Sequence, residues 1–409
     1  MLKKTIIYTG GFELPDKNAA AQRVLSNAKI FRDLGFNVVL VGIDKSLPSH
    51  THIKETRSLV QGFETWAVPY PSGKKSWFKY ITTSKPLEYI VAKFYNNDLY
   101  GVICYNYPAI AQLRIRSFCQ QKDALFIPDA TEWYESSGGG VIFNIIKWLD
   151  TSLRMRYVHP KADGIITTSQ YLTDFYRKRK CITVELPTLY DVSNLTYTAM
   201  ENDRTDTIKL MYAGSAFNLD RIDKNRSNIK DRLDKIILML HKVHQKRSNF
   251  VLDIFGLTRE NYLSVFPEHT DILDELSNVI TFHGRQPHTE IIKQIQKSDF
   301  TIFLRNIERV IEAGFPSKFS ESISYGTPVI CNMISNIQPY VKEGENCFIL
   351  ELDDLQAQVE KLLQILTLTA DERKQLKSYC ANHHVFDYKK YTDSVKQFLQ
   401  KIGTQNEDK

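Results

Sequence analysis

The densest run of chemistry-bearing residues is 305–329, RNIERVIEAGFPSKFSESISYGTPV. An apolar run at 299–304 opens into a loop holding Arg305 and Arg309. Gly314-Phe315-Pro316 then leads into a helical stretch whose first turns carry Ser317, Lys318 and Glu321. Lys318 and Glu321 stand at i and i+3, so a helix places both on one face of its opening turns. The unpaired amide N–H groups and positive dipole end of that helix favour an anion, and a lysine with two arginines nearby suits a diphosphate. An ionised glutamate accepts hydrogen bonds from a vicinal diol such as a ribose. The set reads as a site for a nucleoside diphosphate.

Such residues need strand ends to hold them, and the chain supplies two sets. In the first 45 residues an apolar run at 5–8, a Gly-Gly loop, helical spacing over 19–34, Gly35 and a second apolar run at 37–42 follow one another. Strand, loop, helix, glycine, strand is a right-handed βαβ unit of a mostly parallel sheet. Apolar runs at 101–105, 124–128 and 164–169 continue the alternation, so residues 1–190 are predicted as one doubly wound, Rossmann-like domain. Residues 191–207, DVSNLTYTAMENDRTDT, are polar and aperiodic and read as a linker. Runs at 208–213, 250–255, 279–283, 299–304, 328–331 and 347–350 predict a second such domain over 208–387. A final helical segment, 388–409, is expected to pack back on the first domain. The predicted class is α/β, with two Rossmann-like domains facing a central cleft at the carboxyl ends of their strands.

The 409 residues are 43% hydrophobic and 24% charged, which excludes a disordered, collagenous or coiled-coil chain. Six cysteines without a C-x-x-C pair indicate neither a disulfide framework nor a zinc knuckle and suit a reducing cytoplasm. No apolar run approaches the roughly 18 residues of a membrane span, and no secretory leader is read. Charge is uneven: residues 1–200 hold 25 Lys and Arg against 17 Asp and Glu, whereas 201–409 hold 28 against 30. The front half is the basic one.

With these residues in view, GFPSKFSESISYGTPVI at 314–330 resembles the "group 1" family of retaining GT-B-fold glycosyltransferases, the type used in bacterial capsular and surface polysaccharide synthesis. Ala213-Gly214-Ser215 followed by Lys230-Asp231 is similar to that family's glycine-lysine stretch after the first strand of the second domain, with a long insert between. TGGFELPDKNAAAQRVLSNAKIFRDLGFNVVLVG and the DATEWYE run at 129–135 extend the likeness through the front domain. The resemblance implies that Glu321 holds the donor ribose and that Lys230, with Arg305 or Lys318, neutralises the leaving diphosphate. It also implies that Gly10 and Gly11 let donor and acceptor approach the backbone, and that Gly214, Ser215, Arg309, Glu312 and Gly314 to Lys318 line the donor site. The family's E-x7-E pair is incomplete: Ala313 stands eight residues before Glu321, and Glu312 lies one position off register.

Breaking a sugar–diphosphate bond is limited by charge on the departing phosphate, and fixed cations stabilise it without a metal or other cofactor. No acidic D-x-D follows a strand; Asp220 and Asp223 lie in a polar loop. Asp129 and Glu132, after a front-domain strand, are candidates for deprotonating an acceptor hydroxyl. Gly138 to Gly140 would be a hinge or a plain connection. His241 and His244 have no third ligand nearby and read as surface. The basic run at 177–180 suits a helix's carboxyl end, and no nucleic-acid partner is read. Lysines interleaved with aromatics at 74–95 suit a peripheral contact with anionic membrane at the cell membrane's inner face, where a lipid-linked glycan acceptor would reside. Two other readings fit the same residues: a nucleotide-sugar epimerase, and a non-catalytic subunit that binds a partner transferase.

Overall fold

A computed structural model describes residues 3–15, 17, 19–133, 141–193, 195, 206–217, 226 and 229–407. The first domain's strands are β1 (Thr5–Gly10), β2 (Asn37–Asp44), β3 (Ser58–Val60), β4 (Phe63–Pro69), β5 (Leu99–Tyr105), β6 (Leu125–Ala130), β7 (Ile165–Thr167) and β8 (Thr183–Glu185). They form one sheet in the order β3-β4-β2-β1-β5-β6-β7-β8, parallel but for the β3–β4 edge pair. The second domain's strands are β9 (Ile208–Ala213), β10 (Phe250–Phe255), β11 (Ile280–Gly284), β12 (Phe300–Phe303), β13 (Val329–Cys331) and β14 (Cys347–Ile349), in the parallel order β11-β10-β9-β12-β13-β14.

Helices cover both faces of each sheet, which is why the inner strands read as unbroken apolar runs; every residue of β1 is buried. Core clusters lie on either side of the first sheet, one around Phe12 and Phe31, the other around Trp66 and Phe126. In each sheet the strand order reverses at the first strand, between β2 and β5 around β1 and between β10 and β12 around β9. Such switch points leave a crevice beyond the strands' carboxyl ends. Gly10-Gly11 and Gly214-Ser215 stand at those two ends, and Arg305 follows β12.

The sequence reading assigned no strand between residues 46 and 73, yet β4 is internal, paired with both β2 and β3. Its alternation is blurred because Glu64 sits within it, accepting from Trp66 Nε1 at 2.9 Å and Tyr95 Oη at 2.6 Å. The C-terminal helix Thr392–Glu407 sends Val395, Phe398, Leu399 and Ile402 into the first domain's core. The chain thus crosses between domains twice, and the crossings are stitched together: Tyr190 N donates to Phe386 O at 2.9 Å, and Tyr388 N to Tyr190 O at 3.0 Å. Of the segment 191–207, only 191–193, 195, 206 and 207 are among the described residues.

Candidate functional site

The two switch points meet in a cleft of about 1120 Å³, lined from the first domain by Glu13, Lys17, Gln22 and Lys45 and from the second by Gly214, Ser215, Arg285, His288, Ser317, Lys318 and Glu321, among others. Pro316 caps the helix Ser317–Ser324, whose opening turn points Lys318 back at the end of β9. There Lys318 Nζ donates to Ala213 O at 2.5 Å and lies 3.2 Å from Asp231 Oδ2. Glu321 Oε1 is 2.7 Å from Nε2 of His288, the first residue of the helix His288–Lys297. One carboxylate and one imidazole therefore share the cleft wall one helical turn from the lysine.

Asp231 organises the cations. It is buried, accepts from Arg305 Nε at 2.6 Å and from Tyr212 Oη at 2.8 Å, and pairs with Lys318. Burial alone would raise its pKa; the charges of Arg305 and Lys318, with hydrogen bonds from Arg305 and Tyr212, outweigh that and hold the carboxyl well below the usual carboxylate range. Arg305 is fixed further through its backbone, its N–H donating to Asn332 Oδ1 at 2.9 Å while Asn332 Nδ2 donates to Arg305 O at 2.9 Å. Lys230 is different. It is exposed, and among the described residues it has no hydrogen bond or ion pair. Its ammonium is nonetheless pushed below the ordinary lysine value, first by the charge of Arg305 and then by desolvation, with Lys318 adding to the effect and Glu132 and Asp231 opposing it. Three cations around one carboxylate leave an excess of positive charge that an arriving diphosphate relieves.

One consequence concerns pH. Donor binding favours charged Lys230, whose pKa in the free protein lies below the ordinary 10.5. The dissociation constant for a nucleoside diphosphate should therefore rise on the alkaline side, beginning below pH 10.5, and calorimetric titrations across pH 7–10 measure it.

Gly214 adopts φ +140°, and a Cβ there would sit 1.9 Å from Lys318 Nζ. Gly214→Ala must displace the ammonium from Asp231 and strain the backbone by about 1–3 kcal/mol. The expected result is nucleotide affinity weakened roughly tenfold for each 1.4 kcal/mol that falls on the bound state. A matching drop in melting temperature would be read on the same samples.

Several expected residues stand elsewhere. Gly10 does not open the backbone to ligand: a Cβ there would lie 2.4 Å from Tyr105 O, so its missing side chain serves β1–β5 packing, while Gly11 does face open space. Asp129 is fully buried, its carboxylate taken by Arg23 Nη2 at 2.7 Å, by Arg23 Nε at 3.1 Å and by Tyr8 Oη. It is a structural ion pair, not a base within reach of an acceptor. Glu132 is half-buried, and its charge is felt by both Tyr105 and Lys230. Arg309 is exposed and lies over the Trp133 ring, 4.9 Å from its centroid, joining the domains rather than lining the cleft. Glu312 accepts from Ser335 N at 2.7 Å. Ala313 is buried against Trp133, Leu172 and Tyr176 of the first domain, and its carbonyl accepts from Ser169 Oγ at 2.7 Å, so no glutamate stands there. Phe315 packs on Tyr340 and Phe386, and Gly314 precedes it in the same turn. His241 pairs with Glu275 at 2.6 Å. Residues 134–140, with Glu135 and Gly138 to Gly140, and the pair Asp220 and Asp223 lie outside the described residues.

Sequence reasoning placed Asp231 only as Lys230's neighbour and passed over His288, although Pro287 at a helix start was a visible signal. Neither role is local: Asp231 and Arg305 are 74 positions apart, and His288 and Glu321 are 33 apart.

Two parallel-sheet domains, each with its switch point on a shared cleft, define the GT-B class of glycosyltransferase fold. Residues 224–383, within the second domain, match the family model of glycosyl transferases group 1. Among solved structures, the chain is similar to sucrose-phosphate synthase from Thermosynechococcus elongatus, at 13% identity and a TM-score of 0.67 over 98% of this chain and 100% of that one. Anabaena HepE in complex with UDP and glucose is similar at 12% identity and a TM-score of 0.63, covering 97% and 99%. A mutant of S. aureus TarM in complex with fondaparinux, alpha-GlcNAc-glycerol and UDP is similar at 9% and 0.63, covering 98% and 99%. No curated protein matches the chain in sequence.

Proposed function

We propose that the protein is a retaining hexosyltransferase that moves a sugar from a nucleotide donor, best read as UDP-linked, to a growing lipid-linked glycan in surface polysaccharide synthesis at the inner face of the cell membrane. One observation carries the reading: Arg305 and Lys318 both pair with buried Asp231 beyond β9 and β12, Lys230 lies close enough to feel the charges of all three, and Lys318 lines the cleft together with Glu321. The diphosphate would lie against the cations and the amino end of the helix Ser317–Ser324, with the ribose hydroxyls on Glu321, which His288 orients. Three protein cations at the departing phosphate supply the stabilisation that many transferases take from a metal, so transfer is expected to proceed in a chelator. UDP is preferred because solved GT-B neighbours were captured with it. Glu132 of the first domain, half-buried, is the first-domain carboxylate whose charge reaches Lys230, and we take it as the candidate that accepts the acceptor's proton.

The test is thermal stabilisation by a panel of nucleoside diphosphates and nucleotide sugars in a chelator, on the wild type and on Glu321→Ala. A ligand at about 100 times its dissociation constant stabilises by about 2.7 kcal/mol, a shift of several degrees. UDP is expected to shift the wild type and to lose most of the shift in Glu321→Ala. The absence of any shift with every nucleotide would sink the reading. Retention is read separately, from the anomeric configuration of the product by NMR.

A further inference from the structure

The helix Val141–Leu153 is fixed to the body at its carboxyl end, where Asp150 Oδ1 accepts from Ala109 N at 2.8 Å and Thr151, Arg154 and Met155 are buried. Ahead of that anchor Phe143, Ile145, Ile146, Trp148 and Leu149 are exposed among the described residues, Trp148 at 55% and Ile145 and Leu149 at 52% each. Among the described residues nothing covers these five large apolar side chains, a larger exposed apolar set than a lone surface helix ordinarily carries. The helix Ala109–Gln121 packs between it and the helix Lys74–Thr82, and adds exposed Ile110 and, one turn on, exposed Arg114. Phe78 on the third helix is 64% exposed.

The charge on this three-helix face has one sign. Residues 74–82, 109–121 and 141–161 carry, besides the buried Arg154, Lys74, Lys75, Lys79, Arg114, Arg116, Lys147, Arg156 and Lys161, and their only carboxylate is Asp150, already bound to a backbone amide. Apolar side chains, a tryptophan and a ring of cations without acids are what an anionic bilayer surface receives: the apolar groups enter the acyl boundary and the cations meet the headgroups. A second copy of the chain would instead bring cations against cations. The helix Lys74–Thr82 also lines a cavity of about 700 Å³ together with Tyr70, Tyr80, Tyr89, Lys54 and Lys85, a largely apolar recess with lysines beside it.

We infer that the face built on Val141–Leu153 seats the protein on an anionic membrane leaflet, with Ile145, Trp148 and Leu149 as the inserted residues. The segment 74–95 plays the lesser part, since Tyr95 is buried and Tyr80 and Tyr89 pack against the core beside it. The inference takes up the lipid-linked acceptor of the proposed function, but it is read by a measurement that needs no catalysis.

The test is co-sedimentation of the full chain with vesicles of phosphatidylglycerol and phosphatidylcholine, and of phosphatidylcholine alone. The wild type is expected to bind the anionic vesicles. The variant Ile145→Ser/Trp148→Ser/Leu149→Ser, which alters only exposed side chains, is expected to bind at least about a hundredfold more weakly with an unchanged circular dichroism spectrum. Arg114→Glu/Arg156→Glu should weaken binding to anionic vesicles and leave any binding to neutral ones untouched. Wild type that stays in the supernatant, or a triple-serine variant that still sediments, overturns the inference. So does wild type that self-associates in ultracentrifugation through the three mutated residues, which assigns the face to a second copy. Vesicle binding by a protein that shifts with no nucleotide would leave the membrane face standing and remove the transferase reading.

Discussion

Lys230→Ala is expected to lower the turnover number for sugar transfer roughly 10²–10³-fold, the effect of removing one preorganised electrostatic contact from a developing oxyanion. Of the three cations, Arg305 is held by Asp231 and Asn332, and Lys318 by Asp231 and Ala213 O, so both keep their positions whether or not substrate is present. Lys230 is unpaired among the described residues and pressed by Arg305, so its charge is spent on nothing until phosphate arrives. An interaction absent from the free protein and strongest when the phosphate carries most charge acts on the transition state more than on the ground state, and it appears in kcat more than in KM. The residue is exposed and has no hydrogen bond among the described residues, so the melting temperature should change little, by about 1–2 °C at most. Steady-state kinetics with UDP-sugar donors measure it. A rise in KM with kcat unchanged would make Lys230 a simple binding residue, and unaltered kinetics would remove it from the site.

What could be read in advance was whatever lies within one element or at its edge. The helix start after Gly314-Phe315-Pro316 put Lys318 and Glu321 on one face, and the structure lines the cleft with both. Gly214 and Ser215 were placed at a strand end and stand on the switch point of β9. The failures share one cause, since a strand end fixes where a side chain is but not what occupies it. Asp129 looked free because Arg23, 106 residues earlier, is not a local signal. Gly10 reads as open because Tyr105, paired with it in register, lies 95 positions on. The lysine-aromatic mixture at 74–95 stands out by composition, whereas the more exposed apolar helix at 141–153 is too short to register as a membrane span. Periodicity says which residues share a face; it does not say whether another element covers that face.

Arg23→Met is expected to destabilise the protein by about 3–5 kcal/mol, because it leaves Asp129 as an uncompensated buried charge. The guanidinium and the carboxylate are both almost completely enclosed, joined by Nη2 at 2.7 Å and Nε at 3.1 Å. Arg23 also donates through Nη1 to Leu186 O at 2.7 Å, to Pro187 O at 3.1 Å and to Thr168 Oγ1 at 3.2 Å. One side chain on the first helix thereby ties the end of β6 to the point where the chain leaves β8 for the second domain. At roughly 2–4 °C per kcal/mol for domains of this size, the first domain's transition should fall by about 10 °C, measured calorimetrically. If the cost is the orphaned charge, Arg23→Met/Asp129→Leu recovers much of it, since a buried pair replaced by apolar groups is often near neutral. If the cost is the lost anchorage of Leu186 and Pro187, the double variant stays as unstable as the single one. Donor binding separates this from the chemistry, because the cations, Glu321 and His288 all stand on the second domain: UDP should still shift that domain's transition when Arg23 is gone. A nucleotide shift lost together with Arg23 would mean that the cleft is assembled only when the first domain is intact, and the two crossings stitched at Tyr190 and Phe386 would then transmit the coupling.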